Sequence, residues 1–147
     1  MFKDLNIVIG ITGGIAAYKA CGIVSYLKGQ GANIDVKHIS LAKKADLFLV
    51  VPATANIIGK VANGIADDML STTIMATKAP IIFAPAMNNG MYENKIVQYN
   101  IEKLKTYGYK FIEPTVGHLA CGYEAKGKLP KNEEIIDYVK VLIKEKK

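Results

Sequence analysis

The chain has 147 residues, half of them apolar and 22% charged, with 13 glycines, five prolines and two cysteines. That length suits one domain with a sizeable core, and the composition excludes a disordered chain, a collagen-like repeat and a disulfide-stapled miniprotein. Nineteen basic against 13 acidic residues give a net charge of +6, yet every basic residue is lysine. Without arginine's planar fork to grip phosphate and read guanine, the charge speaks for solubility and attraction of anionic metabolites, not for nucleic acid.

Apolar runs and helical periods alternate along the chain. Residues 5–11 form a continuous apolar run, the mark of a strand covered on both faces. After Thr12-Gly13-Gly14, the apolar spacing of residues 15–28 predicts a helix closed by Gly31, with Cys21 on its apolar side. A short strand is expected at 32–36, a buried strand at 46–51, helices at 54–61 and 67–76, and a strand at 80–84. A helix at 93–107 stops at Gly108 and is followed by a strand at 109–112. Residues 114–131 read as a Gly-rich loop poor in apolar side chains, and Asn132 as the cap of a last helix running to about residue 144.

Strand, glycine turn and helix in repetition indicate a single α/β domain, a three-layer Rossmann-like or flavodoxin-like parallel sheet. No apolar run reaches the roughly 18 residues that cross a bilayer, so no membrane association is expected. The opening residues turn Gly-rich after about five apolar positions, too few for a secretory signal. Cys21 and Cys121 make no disulfide framework and read as reduced thiols of a cytoplasmic protein.

In such folds ligands sit beyond the carboxyl ends of the strands, which directs attention to four loops. Gly13, Gly14 and Ile15 open a helix where backbone N–H groups can meet a phosphate, although any tight turn uses glycines. Pro52-Ala53-Thr54-Ala55-Asn56-Ile57 offers small residues and directed hydrogen bonds; Thr54 is either a ligand contact or a helix N-cap. Ala84-Pro85-Ala86-Met87-Asn88-Asn89-Gly90-Met91 sets adjacent amides between thioethers, suited to a pocket or to an ordinary turn with core methionines. Cys121, in a glycine-containing loop, is a candidate acid or nucleophile. His38 is either a surface histidine or a base. No Cys/His spacing would hold a metal, and Asp67-Asp68 reads as a helix start.

Taken together, these segments resemble the flavin-containing cysteine decarboxylases. Residues 10–19 (GITGGIAAYK) resemble the family's first FMN loop, with Gly14 where serine is usual. Residues 52–57 (PATANI) are similar to its PASANT motif, and residues 85–92 (PAMNNGMY) to PxMNxxMW, with Tyr92 in the tryptophan position. Residues 119–122 (LACG) followed by 127–129 (GKL) resemble the flap over the substrate, and residues 64–71 (GIADDMLS) also have the family's form.

The resemblance implies FMN as cofactor, contacted by Gly13, Gly14, Ile15, Thr54, Ala55, Asn56, Ile57 and Ala86. It implies FMN-dependent decarboxylation of 4′-phosphopantothenoylcysteine to 4′-phosphopantetheine in coenzyme A biosynthesis. In that chemistry the cysteinyl end is oxidised to a thioaldehyde, CO₂ leaves, and the enethiolate is reduced again. His38 matches the histidine that assists proton movement, Asn88 the asparagine that binds the substrate's carboxylate and amide, and Cys121 the final proton donor; Met91 joins Asn88 in the substrate pocket. A homo-oligomer, trimeric or dodecameric, and a phosphopantothenoylcysteine synthetase partner are implied too. A peptidyl-cysteine decarboxylase and a non-catalytic flavin-binding regulatory subunit are the alternatives within this fold. One departure stands out: about 35–40 family residues, a strand-end Ser/Thr loop, a helix and a variable segment, are missing between Val36 and His38, either because the chain is a true short form or because the sequence omits that stretch.

Overall fold

A computed structural model describes residues 2–13, 15–35, 39–118 and 124–145. Five parallel strands make the central sheet: β1 (Asn6–Gly10), β2 (Asn33–Asp35), β3 (Leu47–Ala53), β4 (Ile81–Pro85) and β5 (Lys110–Phe111), in the order β2-β1-β3-β4-β5. The helices are α1 (Ala20–Gly29), preceded by a 3-10 helix over Ile15–Lys19, then α2 (Ile39–Lys44), α3 (Ala55–Ala62), α4 (Met69–Ala76), α5 (Asn89–Tyr92), α6 (Lys95–Thr106) and α7 (Asn132–Glu145). An antiparallel hairpin of β6 (Thr115–His118) and β7 (Glu124–Lys128) stands apart from the sheet.

The alternation of side chains along a strand divides the core in two. Ile7, Ile9, Leu47, Leu49, Val51 and Ile82 face α1 and α7, whose Ile23, Leu27, Ile135 and Val139 are fully or almost fully buried. Val8, Phe48, Val50, Ile81 and Phe83 face the opposite way, against Ile57, Ile58 and Val61 of α3, Ile74 of α4, and Ile101 and Leu104 of α6. All seven residues of β3 are buried because the strand is central and covered on both sides. Each large apolar side chain so enclosed contributes about 1.5–3 kcal/mol. The expected three-layer, single-domain α/β architecture is what the chain adopts.

Several local expectations are corrected. Residues 114–131 are not one loop: the β6–β7 hairpin forms there, its strands held by cross-strand pairing rather than by an apolar pattern visible in the sequence. The helix expected from residue 93 begins at Lys95, because the Asn94 carboxamide accepts the Ile96 N–H at 2.9 Å and fixes the start. Asn132 is the first residue of α7 rather than its cap; the Lys131 carbonyl accepts the Ile135 N–H at 3.2 Å, and the Asn132 Oδ1 is buried without a partner. Cys21 is exposed, since the buried stripe of α1 runs through Ala20, Ile23 and Leu27 and leaves position 21 about 100° around the helix. Asp68 caps α4 as expected, accepting from the Ser71 N–H at 2.8 Å.

Candidate functional site

The sheet order reverses between β1 and β3: β2 lies on one side of β1, while β3, β4 and β5 follow on the other. Connections diverge at such a point and leave a crevice beyond the strand ends. The loops after β1, β3 and β4 therefore share one edge of the sheet.

Thr12 links the first two of these loops. Its hydroxyl donates to the Pro52 carbonyl at 2.7 Å and accepts the Thr54 N–H at 3.1 Å, while its own N–H donates to the same Pro52 carbonyl at 3.4 Å. The sequence shows Thr12 only as part of a glycine turn. Its partners lie 40 and 42 residues away, so local pattern carried no signal of this role. Next to it Gly13 is exposed, and an added Cβ there would meet no atom within 4 Å, so this backbone borders open space. Gly10, at the end of β1, lets Leu70 of α4 pack closely, for a Cβ would lie 2.6 Å from the Leu70 Cδ1.

Thr54 does serve as the N-cap of α3, its Oγ1 accepting the Ile57 N–H at 3.4 Å. The first-turn N–H groups of Ala55 and Asn56 have no acceptor within the helix, and the positive end of the helix dipole lies with them at the site edge. Ala55 is half-buried and Asn56 exposed, whereas the Ile57 side chain is 3% exposed and belongs to the core. Ile57 thus faces away from the crevice. Ala86 follows β4, half-buried, its N–H donating to the Ala53 carbonyl at 3.1 Å and so tying the third loop to the second.

Asn88 caps α5, its Oδ1 accepting the Gly90 N–H at 2.8 Å, and is itself exposed. Met91 is 49% exposed, while Tyr92, one residue on, is buried. The base of the hairpin docks on this loop: the Met87 N–H donates to the Gly127 carbonyl at 3.0 Å. Gly127 has φ +144°, and a Cβ there would run into the Met87 carbonyl oxygen, so only glycine permits this approach. Gly14, His38 and Cys121 lie outside the described residues, as does the side chain of Ile15. Gly13, Thr54, Ala55, Asn56, Ala86, Asn88 and Met91 are all on loops or helix starts at the same sheet edge.

Charges nearby are arranged in pairs. Lys60 of α3 bridges Asp67 and Asp68 at 2.7 and 2.8 Å. The hydrogen bond from Lys60, with the Ser71 N–H, holds the Asp68 carboxyl at about 2, well below its ordinary 3.8. Burial and the hydrogen bond to Glu113 push the Tyr92 hydroxyl up to about 12, so it stays protonated at neutral pH. Among the described residues no group of three or more His, Cys, Asp and Glu could hold a metal ion. No described helix is long and apolar enough to cross a membrane. An open cleft of about 600 Å³ beside Ala62, Lys103 and Tyr107 sits at the C-terminal ends of α3 and α6, away from these loops.

The residues present fit a flavin. The Gly13 backbone borders open space, small side chains at Ala55 and Ala86 leave room for a planar ring, and α3 starts at the same sheet edge with first-turn N–H groups that have no acceptor within the helix.

Comparisons with known proteins agree with this geometry. A family model described as Flavoprotein matches residues 35–144. The coenzyme A biosynthesis bifunctional protein CoaBC of Bacillus subtilis (strain 168) is 42% identical over 172 residues, covering 92% of this chain and 42% of the relative. Its counterpart in Borreliella burgdorferi is 44% identical, covering 95% and 45%. A probable phosphopantothenoylcysteine decarboxylase of Streptococcus mutans serotype c is 35% identical, covering 91% of this chain and 96% of that protein. The chain thus spans less than half the length of the bifunctional relatives, 42% and 45% in these two cases. Among solved structures, a PPC decarboxylase variant complexed with pantothenoylaminoethenethiol superposes with a TM-score of 0.89 at 22% identity, covering 97% of this chain and all of that one. The FMN binding protein AtHal3 gives 0.84 at 22% identity, covering 97% and 98%. These two establish the fold; the sequence matches establish descent, and the chain belongs to the flavoprotein family, with phosphopantothenoylcysteine decarboxylases among its relatives.

Proposed function

We propose that the chain catalyses the FMN-dependent decarboxylation of 4′-phosphopantothenoylcysteine to 4′-phosphopantetheine. The observation that carries this reading is the meeting of the Thr12–Gly13, Thr54–Asn56 and Ala86–Met91 segments at one sheet edge, in a chain with relatives of that activity. FMN, when bound, would supply the two-electron oxidation of the substrate's cysteinyl end and its later reversal. The chain's part is placement. Gly13, Gly14 and Ile15, with the start of α3 at Ala55 and Asn56, would hold the cofactor's phosphate and ring, while Ile57 would contribute only through its backbone. Asn88 would bind the substrate carboxylate and amide beside Met91, His38 would move a proton during loss of CO₂, and Cys121 would donate the last proton to the enethiolate.

The relatives' bifunctional names support a phosphopantothenoylcysteine synthetase as partner. A trimeric or dodecameric assembly agrees with Ile96 and Tyr99, exposed on α6, and with Tyr107, exposed at its C-cap. A cytoplasmic setting belongs to the same proposal. So does the absence of a segment between Val36 and His38, supported by an alignment that runs over 172 residues against the 147 of this chain. Peptide mapping across Val36–His38 of the purified protein tests that absence: a peptide joining the two directly supports it, and an inserted stretch of about 35–40 residues between them would refute it.

The test is incubation of the purified, flavin-loaded chain with phosphopantothenoylcysteine, following CO₂ and 4′-phosphopantetheine. Formation of both is expected, with Cys121→Ser still releasing CO₂ but stopping at the enethiol, and His38→Asn keeping flavin but releasing no CO₂. Turnover of a peptide's C-terminal cysteine in place of this substrate, or of neither, would overturn the reading.

A further inference from the structure

The hairpin touches the Asn88 loop at a second place, through side chains. Tyr92 ends α5, four residues after Asn88, and is 6% exposed. Its hydroxyl donates to the Glu113 Oε2 at 2.9 Å. Lys126, the β7 residue just before Gly127, pairs with the same oxygen at 3.0 Å, and its ammonium lies 5.5 Å from the centre of the Tyr92 ring. Lys105 of α6 approaches the other Glu113 oxygen at 3.7 Å while also pairing with Glu102 at 2.8 Å. The Tyr92 carbonyl is occupied as well, accepting from the Gln98 side chain at 2.5 Å.

An ion pair as exposed as Glu113–Lys126 would stabilise little by itself. A buried phenol that must hydrogen-bond is different, because leaving it unpaired costs its full desolvation. Glu113 is therefore what allows Tyr92 to be buried at the end of α5, and Lys126 is what brings β7 to that carboxylate. The consequence is a two-point attachment: main chain at Met87–Gly127 and side chains at Tyr92–Glu113–Lys126. Asn88 lies between the two points in sequence, as the cap of a four-residue helix with little cohesion of its own.

We propose that Tyr92, Glu113 and Lys126 form a clasp that fixes the base of the β6–β7 hairpin to the Asn88 loop, making them positioning residues for the substrate-binding asparagine. This rests on the decarboxylase reading for its effect on turnover, but not for the attachment itself. The clasp acts on placement, so its loss changes catalysis without removing a reacting group.

Two measurements on the full flavin-loaded chain test it. In hydrogen exchange, Tyr92→Phe is expected to speed the Met87 amide and the amides of β7 about tenfold and Lys126→Met about threefold, leaving β1 and β3 unchanged. In turnover, both variants are expected to lower kcat/KM about tenfold with flavin content intact. Lys126→Arg is expected to restore most of the loss, and the Tyr92→Phe/Glu113→Gln double variant to be no worse than the poorer single one. Unchanged exchange at Met87 and β7 would overturn the clasp. Altered exchange with unchanged kcat and KM would overturn its positioning role, as would additive losses or failure of Lys126→Arg. If the parent chain does not decarboxylate the substrate at all, the decarboxylase reading fails, while the exchange experiment still decides whether the clasp exists.

Discussion

Replacing Thr12 by valine keeps the side-chain shape and removes only the hydroxyl. In the folded chain that hydroxyl makes two hydrogen bonds, to the Pro52 carbonyl at 2.7 Å and from the Thr54 N–H at 3.1 Å. The Pro52 carbonyl keeps a longer bond from the Thr12 N–H at 3.4 Å, but the Thr54 N–H loses its acceptor in a partly buried position. One modest hydrogen bond lost and one backbone donor left unpaired together cost about 2–3 kcal/mol. For a domain of this size that lowers the melting temperature by about 5–10 °C. The same change frees Thr54, and with it the start of α3, from the β1 loop, so flavin affinity should weaken about tenfold. Thermal unfolding of the apoprotein and titration of flavin fluorescence measure the two effects separately, with Thr12→Ser expected to behave as the parent. Equal melting temperature and equal flavin affinity in Thr12→Val would refute the claim that this side chain joins the two loops.

Gly127→Ala should lose about 2–4 kcal/mol, because its φ of +144° and the Met87 carbonyl oxygen leave no place for a Cβ; a denaturation midpoint like the parent's would contradict this. Phe83→Ala should cost about 3–5 kcal/mol, since the ring is fully buried and stacks on Phe111 at 5.2 Å between centroids; urea unfolding provides the check. Asp68→Asn retains a capping oxygen but removes the charge paired with Lys60. The folded-state value of about 2 lies below the ordinary 3.8, so the charge stabilises fully above pH 4 and its contribution disappears as pH falls through 2. The stability difference between parent and Asp68→Asn, under 1 kcal/mol or about that for so exposed a pair, should therefore shrink as pH falls below 4 and vanish below about pH 2.

Much of the frame was legible along the chain. Continuous apolar runs at β1, β3 and β4 announced strands buried on both faces, and those strands are the covered centre of the sheet. Gly31 and Gly108 marked helix ends, and both have positive φ. Asp68 announced the start of α4 because capping is local, within three residues. Less legible were features whose partners are distant. The β6–β7 strands are rich in Gly and Lys, and they pair only because each supplies the other's backbone partners. Cys21 looked like core by neighbourhood, and only the actual packing of α1 on α7 shows which stripe of the helix is covered.

The candidate site divides in the same way. The sequence alone determined the fold class and which loops follow the strands at one sheet edge, and motif resemblance supplied the chemistry expected there. Hydrophobic period and turn residues are local properties, and a parallel sheet places every strand's carboxyl end on one edge. Only the tertiary structure decided which side chains join those loops. It turned Ile57 into the core, tied Thr12 to Pro52 and Thr54, and brought together Tyr92 of α5, Lys126 of β7 and Glu113 from the link between β5 and β6. Such contacts form between groups 13 to 42 residues apart, where no local periodicity reaches, and burial decides which polar group must find which partner.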